Sequence, residues 1–260
     1  MISLFISNSP STNKVISNNG SSVTTSLTPP ILLNPNKKYE MRLLSASIVY
    51  CEPNISSTLN NNKLDYNVDG TNFSITFPSG LYSLNDINTQ ISLFTLENNS
   101  DASMISFIAN EANSTIYLYA DTPLTVYASH ANSIMQILGF STSDITLSAS
   151  GYVNGENQAN LNTLQTILVT CDVVTDSYFN SQVSNIIAAI TPNVSPYSTI
   201  LYTPVHPTRV KIYTSQINQI TFTLTDQSGA MLIMNPKNNT AELWNVVVSI
   251  EPSEDVEKTL

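Results

Sequence analysis

The sequence predicts an all-β fold of the β-sandwich type, and three observations lead to this prediction. Strand-like segments with period-2 alternation make up most of the chain, as in residues 220–225, where Ile, Phe and Leu alternate with Thr. Clusters of Asn, Ser, Gly and Pro separate these segments at intervals typical of a sandwich. The length of 260 residues suits one large core, since all-β folds reach about 200–250 residues as one domain. We therefore predict a single domain over residues 1–250 with N-terminal strands and inserted loops.

The predicted strands run from the first residues of the chain to the last. Each is either an alternating segment or a short apolar run bounded by turn residues. In chain order the first twelve are residues 2–6, 22–27, 39–51, 63–68, 73–77, 104–109, 115–120, 124–127, 145–150, 165–174, 186–190 and 210–213.

The closing segment, residues 217–250, is interpreted as a β-hairpin in an apolar sheet. Gln227, Ser228 and Gly229 supply a turn in which the glycine is free to take positive φ, and residues 231–234 form the return strand. After a polar turn at residues 235–240, the run 243–250 is almost continuously apolar, as in a strand covered on both faces. Residues 251–260 are expected to form an acidic, flexible tail.

Two stretches depart from the strand pattern and predict short helices. Residues 83–98 place apolar side chains at a 3.6-residue period, and Ser83 with Asp86 resembles a capping box. Residues 129–140 carry a second apolar stripe, and Gly139 fits the left-handed position just past a helix end. Residues 154–162 and the proline-rich residues 191–207 are expected to be exposed loops.

Composition and charge exclude several classes of function. Only 11% of the residues are charged, the net charge is −10, and the pI is near 4.4. Direct binding of duplex nucleic acid requires clustered Lys and Arg, whereas nine are spread along this chain. The N-terminus lacks the basic region of a signal peptide, and no stretch approaches about 18 apolar residues, so we expect a soluble protein made in the cytosol, without a membrane span.

Candidate metal sites are weak. Residues 65–70, DYNVDG, imitate the start of a calcium-binding loop, but Asn72 and Thr76 occupy positions that need an aliphatic residue and a glutamate. A hairpin turning at Asp69 and Gly70 explains the same residues better. The only histidines, His130 and His206, are too few and too far apart in sequence for a histidine-based metal site.

Catalytic and aromatic candidates are equally weak. Asp172 and Asp176 are interpreted as solvated carboxylates at a strand end. No Gly-X-Ser-X-Gly elbow marks a nucleophile for either histidine to activate. The tyrosines at positions 117, 119 and 127 could form a stacking platform for bases or sugars, although cross-strand packing is the simpler reading. We therefore predict a protein that is not an enzyme, with no catalytic or metal-binding residues and no cofactor.

The two cysteines, Cys51 and Cys171, each lie in or at the end of an apolar strand-like run. This position favours buried free thiols over a redox pair, although the sequence leaves a bridge between them open.

Four segments resemble capsid proteins of virophages and Polinton-like viruses. They are residues 78–88, PSGLYSLNDIN; residues 132–140, NSIMQILGF; residues 169–179, VTCDVVTDSYF; and the closing LTDQSG at residues 224–229 with the apolar strand behind it. They occur in family order and span roughly residues 39–250.

The resemblance implies a jelly-roll capsid subunit. In this family, double jelly rolls form trimeric capsomers, and single jelly rolls form pentamers at the fivefold vertices. Because two eight-stranded jelly rolls would strain 260 residues, the resemblance favours the vertex, or penton, subunit. Its implied partners are sister subunits and major capsid protein trimers, and its implied location is the virion, assembled in the host cytoplasm. The alternatives are a major capsid protein or a fragment of one, and a carbohydrate- or receptor-binding β-sandwich.

Overall fold

The structure is a computed structural model that describes residues 1–9, 15–18, 20–97, 105–179, 182–234 and 244–253. Antiparallel sheets dominate these residues, and the predicted all-β, jelly-roll-like sandwich is confirmed. The elements, numbered in chain order, are β1 (Ile2–Ser7), β2 (Val15–Asn18), β3 (Ser22–Leu32), β4 (Tyr39–Val49), β5 (Lys63–Val68), β6 (Thr71–Thr76), α1 (Leu84–Glu97), β7 (Ile105–Asn110), β8 (Thr115–Ala120), β9 (Leu124–Val126), a 3₁₀ turn (Ile134–Gln136), β10 (Ile145–Leu147), β11 (Gly151–Asn154), β12 (Ile167–Cys171), β13 (Val174–Thr175), β14 (Ser177–Phe179), β15 (Gln182–Ser184), β16 (Ile186–Ile190), β17 (Thr199–Tyr202), β18 (Val210–Ile212), β19 (Gln216–Thr225) and β20 (Trp244–Pro252).

The chain divides into two compact units, where the sequence predicted a single domain with inserted loops. The jelly-roll unit combines Met1–Glu52 with Leu164–Leu260, and the inserted unit is the continuous stretch Pro53–Thr163. Asn54, which is fully buried, ties the two ends of the inserted unit together. Its side-chain amide donates to the carbonyls of Tyr82 and Leu161, each at 2.8 Å.

Two antiparallel sheets form the jelly-roll unit. One has the order β1-β20-β4-β18-β13, with β17 also paired to β4, and the other has the order β16-β12-β19-β3-β2. The chain passes repeatedly from one sheet to the other, so strands distant in sequence become neighbours, such as β3 with β19 and β4 with β20. The predicted alternation holds in β19, where Ile220, Phe222 and Leu224 are buried and Thr221 and Thr223 between them are half-buried; Thr225 at the strand end is also buried.

A β-bulge in β4 explains why its burial pattern changes phase. Val247 pairs with Ser45 and Val248 with Leu43, so Leu44 is the extra residue on β4. Met41 and Leu43 are therefore buried before the bulge, and Ala46 and Ile48 after it. The bulge keeps both halves of an 11-residue strand facing the core.

The inserted unit contains two smaller sheets around its own apolar core. Their orders are β10-β9-β5-β6 and β11-β8-β7, and consecutive strands pair as local hairpins: β5 with β6, β7 with β8, and β9 with β10. The helix α1 packs beside β7, because the Asn88 side chain accepts from the backbone N–H of Phe107 and donates to its carbonyl, both at 2.8 Å. Ile87 and Ile91 turn inward to the core.

The first predicted helix is confirmed and the second is wrong in its length. Ser83 and Asp86 form the predicted capping box, with Ser83 N–H donating to Asp86 at 2.9 Å and Asp86 N–H donating to Ser83 at 3.2 Å. The segment predicted as a helix over residues 129–140 holds only the 3₁₀ turn, because Asn132 takes a φ of +65° and interrupts any earlier helical turn. Gly139 has the predicted positive φ, +88°. Within the described residues no helix has the length and apolar character to cross a bilayer.

The closing segment is not one hairpin. Strand β19 is already paired on both edges, with β3 and β12, and β20 is paired on both edges with β1 and β4, so neither has an edge free for the other. The predicted return strand at residues 231–234 is limited to an isolated bridge between Thr225 and Met231. The turn before it is confirmed, since Gly229 has a φ of +88°.

Several strands were not predicted from the sequence. Strand β17 lies inside the predicted loop 191–207 and pairs with the second half of β4, and β14 and β15 form a small hairpin of their own. Strand β20 continues to Pro252, so Glu251 belongs to a strand and not to the predicted tail. The rest of that tail, residues 254–260, and the predicted turn 235–240 lie outside the described residues.

Candidate functional site

Three residues that the sequence singled out separately lie together in the inserted unit. Asp65 is on β5, Tyr127 follows β9, and His130 lies in the next turn. The backbone N–H of Tyr127 donates to the carbonyl of Asp65 at 2.9 Å, and the β5–β6 register sets Ser74 opposite Asp65. With three residues from β6, Asp65, Tyr127 and His130 line a cleft of about 500 Å³, which we call the Asp65 cleft; its lining residues are Asp65, Asn72, Phe73, Ser74, Tyr127 and His130.

The Asp65 carboxylate organises this cleft. One of its oxygens lies 2.9 Å from His130 Nδ1, and the other accepts from the Ser74 hydroxyl at 2.5 Å. Because a carboxylate only accepts hydrogen bonds, the proton of a neutral His130 ring lies on Nδ1, and Nε2 is an acceptor. The Asp65 side chain is 18% exposed and that of His130 is 50% exposed.

The cleft also has an aromatic wall and an amide wall. The His130 ring stacks on Tyr127, with ring centroids 4.6 Å apart and an interplanar angle of 11°. Across the hairpin, Asn67 donates to the Asn72 side-chain oxygen at 2.7 Å, and the Tyr127 hydroxyl reaches the same oxygen at 3.5 Å. Each polar side chain is therefore oriented by another before any ligand arrives.

This arrangement does not resemble a hydrolase site. Nucleophilic activation of a serine requires the histidine between the serine and the acid, whereas here Asp65 lies between Ser74 and His130. The predicted hairpin at Asp69 and Gly70 is confirmed, with positive φ at both residues. The calcium-like sequence is therefore the end of β5 and the turn that follows it. Among the described residues there is no group of three or more His, Cys, Asp or Glu side chains that could hold a metal ion.

The tyrosines do not form one platform. Tyr117 and Tyr119 on β8 contact Tyr152 on β11, at centroid distances of 6.2 Å and 4.8 Å, whereas Tyr127 lies in the Asp65 cleft. Tyr152 is 63% exposed. It was not singled out from the sequence, although it directly follows Gly151 in a short strand whose side chains alternate in exposure. Cross-strand packing of Tyr119 and Tyr152 is confirmed by their register.

The remaining candidate residues stabilise the fold or, among the described residues, lack a neighbour with which they could act in catalysis. Asp172 accepts from the backbone N–H of Thr221 at 2.9 Å, which joins two strands of one sheet. Asp176 accepts from Lys211 at 2.7 Å in an exposed ion pair. His206 is exposed in the loop that precedes β18. Cys51 and Cys171 are free thiols, as predicted; Cys171 is buried, whereas Cys51 is only half-buried, and this burial raises the pKa of Cys51 to about 11.

The outer face of the first jelly-roll sheet carries charges that are already paired. Arg42 binds Glu251 at 2.9 Å, and Glu40 accepts from the Ser253 hydroxyl at 2.8 Å, with Arg209 3.9 Å away. Two atoms of this group, Glu40 Oε2 and Arg42 Nε, are buried without a hydrogen-bond partner.

Strand β1 is an open edge of the same sheet within the described residues. It pairs with β20 on one side only, and its sequence, ISLFIS, contains no charge and no proline. Phe5 is 64% exposed on this strand. Edge strands of monomeric proteins are normally protected by charge, proline or cover, so this edge is a candidate subunit contact.

Glu52 is a partly buried carboxylate with an altered pKa. Burial raises its pKa from 4.5 to about 7, a hydrogen bond from the backbone N–H of Ile233 opposes this shift, and the nearby Asp226 adds to it. The hydrogen bond to Ile233 is 2.6 Å long.

This pKa makes stability depend on pH. The folded state holds the proton up to about pH 7, whereas the unfolded chain releases it near pH 4.5, so the free energy of unfolding should fall as the pH rises between these values. After allowance for solvent screening we expect a loss of about 1–2 kcal/mol. Urea unfolding between about pH 5 and pH 8 measures it. Glu52→Gln keeps an acceptor for Ile233 and should reduce the slope; an unchanged slope would contradict the assignment.

The fold and surface together define an all-β protein whose jelly-roll unit has an open edge and whose inserted unit carries a polar cleft. Comparison with solved structures finds the crystal structure of the mavirus penton protein, with a TM-score of 0.50, 9% sequence identity, and coverage of 97% of this chain and 99% of that one. No family model and no curated protein matches the sequence. The similarity shows a distant, penton-like fold.

Proposed function

We propose that this chain is a penton subunit of a viral capsid, which forms pentamers at the fivefold vertices of an icosahedral shell. The observation that carries the proposal is the likeness to the mavirus penton protein over nearly the whole length of both chains. The four ordered segments that resemble virophage and Polinton-like capsid proteins agree with it. The proposed location is the virion, and the proposed partners are sister subunits and the trimers of a major capsid protein.

The topology of the inserted unit favours a single jelly roll over the double jelly roll of a major capsid protein. A jelly roll passes its chain between sheets, as the strands of the jelly-roll unit do. The seven strands described in the inserted unit pair instead mainly as consecutive hairpins. The trimeric alternative therefore has less support.

Assembly in this proposal is non-enzymatic and depends on complementary surfaces. A ring requires two different surfaces on each subunit, and the rotation between them must close. The open edge of β1 supplies backbone N–H and C=O groups and the exposed Phe5 to one of them. The paired charges around Arg42 and Glu40 allow a neighbour to approach at low electrostatic cost.

Native mass spectrometry or light scattering of the purified full chain tests the proposal. We expect a species of five times the 28.4 kDa subunit mass, alone or on addition of capsomers. Stable trimers would overturn the vertex assignment and favour the major capsid alternative.

The contribution of β1 is testable in the same experiment. Phe5→Glu places a charge on the open edge and should shift the mass distribution toward monomers. Leu96→Glu in α1, where the wild-type side chain is 74% exposed, controls for the added charge itself. An equal yield of pentamers from Phe5→Glu and from the unmodified protein would show that β1 does not form the contact between subunits of the ring.

A further inference from the structure

We infer that the Asp65 cleft is a binding site for a neutral saccharide, a property of the inserted unit that goes beyond capsid assembly. The cleft has a volume of about 500 Å³, within the range of about 300–1,000 Å³ that small-molecule sites occupy. That volume accommodates one or two sugar rings.

The polar lining matches the hydrogen bonding of sugar hydroxyls. Each hydroxyl both donates and accepts, so a site for several of them needs donors and acceptors in one place. Asp65, the Nε2 atom of a neutral His130 and the Ser74 oxygen, whose proton points to Asp65, accept; the amide of Asn72 donates, and the Tyr127 hydroxyl does both. These groups come from two strands and one turn, and the fold brings them to a single cleft.

The aromatic wall supplies the other half of saccharide recognition. A sugar ring has one face of C–H groups, which carry slight positive charge and pack on the negative face of an aromatic ring. Because Tyr127 and His130 stack on each other, an outer face of this pair offers such a surface, and His130 is half exposed. Nucleic-acid bases stack on similar surfaces, but they bring phosphates that Asp65 and the net charge of −10 disfavour.

The charge of the cleft disfavours an anionic ligand. Asp65 is the carboxylate of the lining, and no Lys or Arg is among the lining residues described. Lys63, two residues earlier on the same strand, does not line the cleft. Sialylated and sulfated glycans would therefore place their anions beside Asp65.

The mutual orientation of the side chains reduces the cost of binding. His130 is fixed by Asp65 through Nδ1 and by stacking on Tyr127, and Asn72 is fixed by Asn67. Side chains that are ordered before binding lose less conformational entropy when a ligand arrives.

A glycan array followed by NMR titration of the full-length protein tests this inference, with neutral galactose-, glucose-, mannose- and N-acetylglucosamine-terminated oligosaccharides and with sialylated and sulfated ones. We expect binding to a subset of the neutral glycans. Asp65→Asn and His130→Ala should each weaken it about tenfold or more, since hydrogen bonds that involve a charged group are among the stronger ones. Tyr152→Ala, on the other sheet of the inserted unit, should leave binding unchanged.

Each of the following results would overturn the inference: binding to none of the neutral glycans, binding to anionic glycans only, or full binding by both Asp65→Asn and His130→Ala. A loss of binding in Tyr152→Ala as large as in the cleft variants would also overturn it, because it would indicate a site at Tyr117, Tyr119 and Tyr152 instead of the Asp65 cleft. The assay does not depend on oligomeric state, so its failure and the absence of pentamers are separate outcomes.

Discussion

Replacing Trp244 with alanine is expected to destabilise the jelly-roll unit by about 4 kcal/mol. Trp244 is 1% exposed at the start of β20. Its indole N–H donates to the Gly20 carbonyl at 2.7 Å, and its backbone N–H donates to the Asn8 side chain at 3.0 Å. Asn8 donates to the same Gly20 carbonyl at 3.1 Å. Truncation therefore opens a large cavity and removes a bond from a network that joins three distant segments.

Calorimetry measures this effect as a lower melting temperature. A change of 1 kcal/mol corresponds to about 2–4 °C for a unit of this size, so the expected shift is about 10 °C. Trp244→Phe retains most of the apolar volume but loses the indole N–H, and it should cost less than Trp244→Ala. Leu201→Ala, where the native side chain is 78% exposed on the same sheet, is the surface control. A melting temperature for Trp244→Ala equal to that of Leu201→Ala would refute the proposed packing.

The second large effect is expected for Gly139→Ala in the inserted unit. Gly139 has a φ of +88°, and a Cβ built on it would lie 2.3 Å from the backbone oxygen of Asn157. The Asn157 N–H donates to the Gly139 carbonyl at 2.9 Å, so the two backbones cannot separate without losing this bond. Overpacking and left-handed strain together should destabilise the inserted unit by about 4 kcal/mol.

Gly70→Ala is a matched control for that substitution. Gly70 has a similar φ of +81°, but nothing lies within 4 Å of an added Cβ, so only the conformational strain of about 1 kcal/mol remains. The chain's single tryptophan lies in the jelly-roll unit, so tryptophan fluorescence does not report on the inserted unit. Hydrogen exchange of peptides from residues 53–163 therefore measures the effect. Equal protection in Gly139→Ala and Gly70→Ala would show that the backbone contact is absent.

Local patterns allowed the strands, the first helix and the tight turns to be predicted. The alternation in β19, the capping box of Ser83 and Asp86, and the turns at Gly70 and Gly229 each depend on a few neighbouring residues. The helix at residues 129–140 failed for a local reason that is hard to read in advance. Asn132 takes a left-handed conformation, which Asn tolerates better than most residues but does not require.

Strand pairing was not predictable in the same way. The apolar pattern of β20 is equally consistent with a hairpin partner and with its actual neighbours, β1 and β4, which lie about 200 or more residues away. Strand β17 was missed because proline-rich surroundings concealed a four-residue strand whose partner is distant.

The Asp65 cleft was predictable only in its parts. Asp65, Tyr127 and His130 were each noted for a different chemistry, but only the pairing of β5 with β9 sets Tyr127 beside Asp65. Ser74 and Asn72 follow from the β5–β6 hairpin, whose register fixes their places opposite Asp65 and Asn67. The confirmed hairpin prediction therefore already implied these two lining residues, whereas the places of Tyr127 and His130 required the full sheet.

The hydrogen bond that the Asn54 side-chain amide donates to the Leu161 carbonyl has a consequence for the order in which the chain folds. The inserted unit draws all its strands from one continuous stretch, so it is able to fold before β19 and β20 leave the ribosome, whereas β3 and β4 must wait for them. An unfolded insertion of this length would cost the closing jelly roll about 4 kcal/mol of loop entropy. Once Asn54 has joined its ends, the insertion behaves as a short link, and the strands on either side of it meet at little entropic cost.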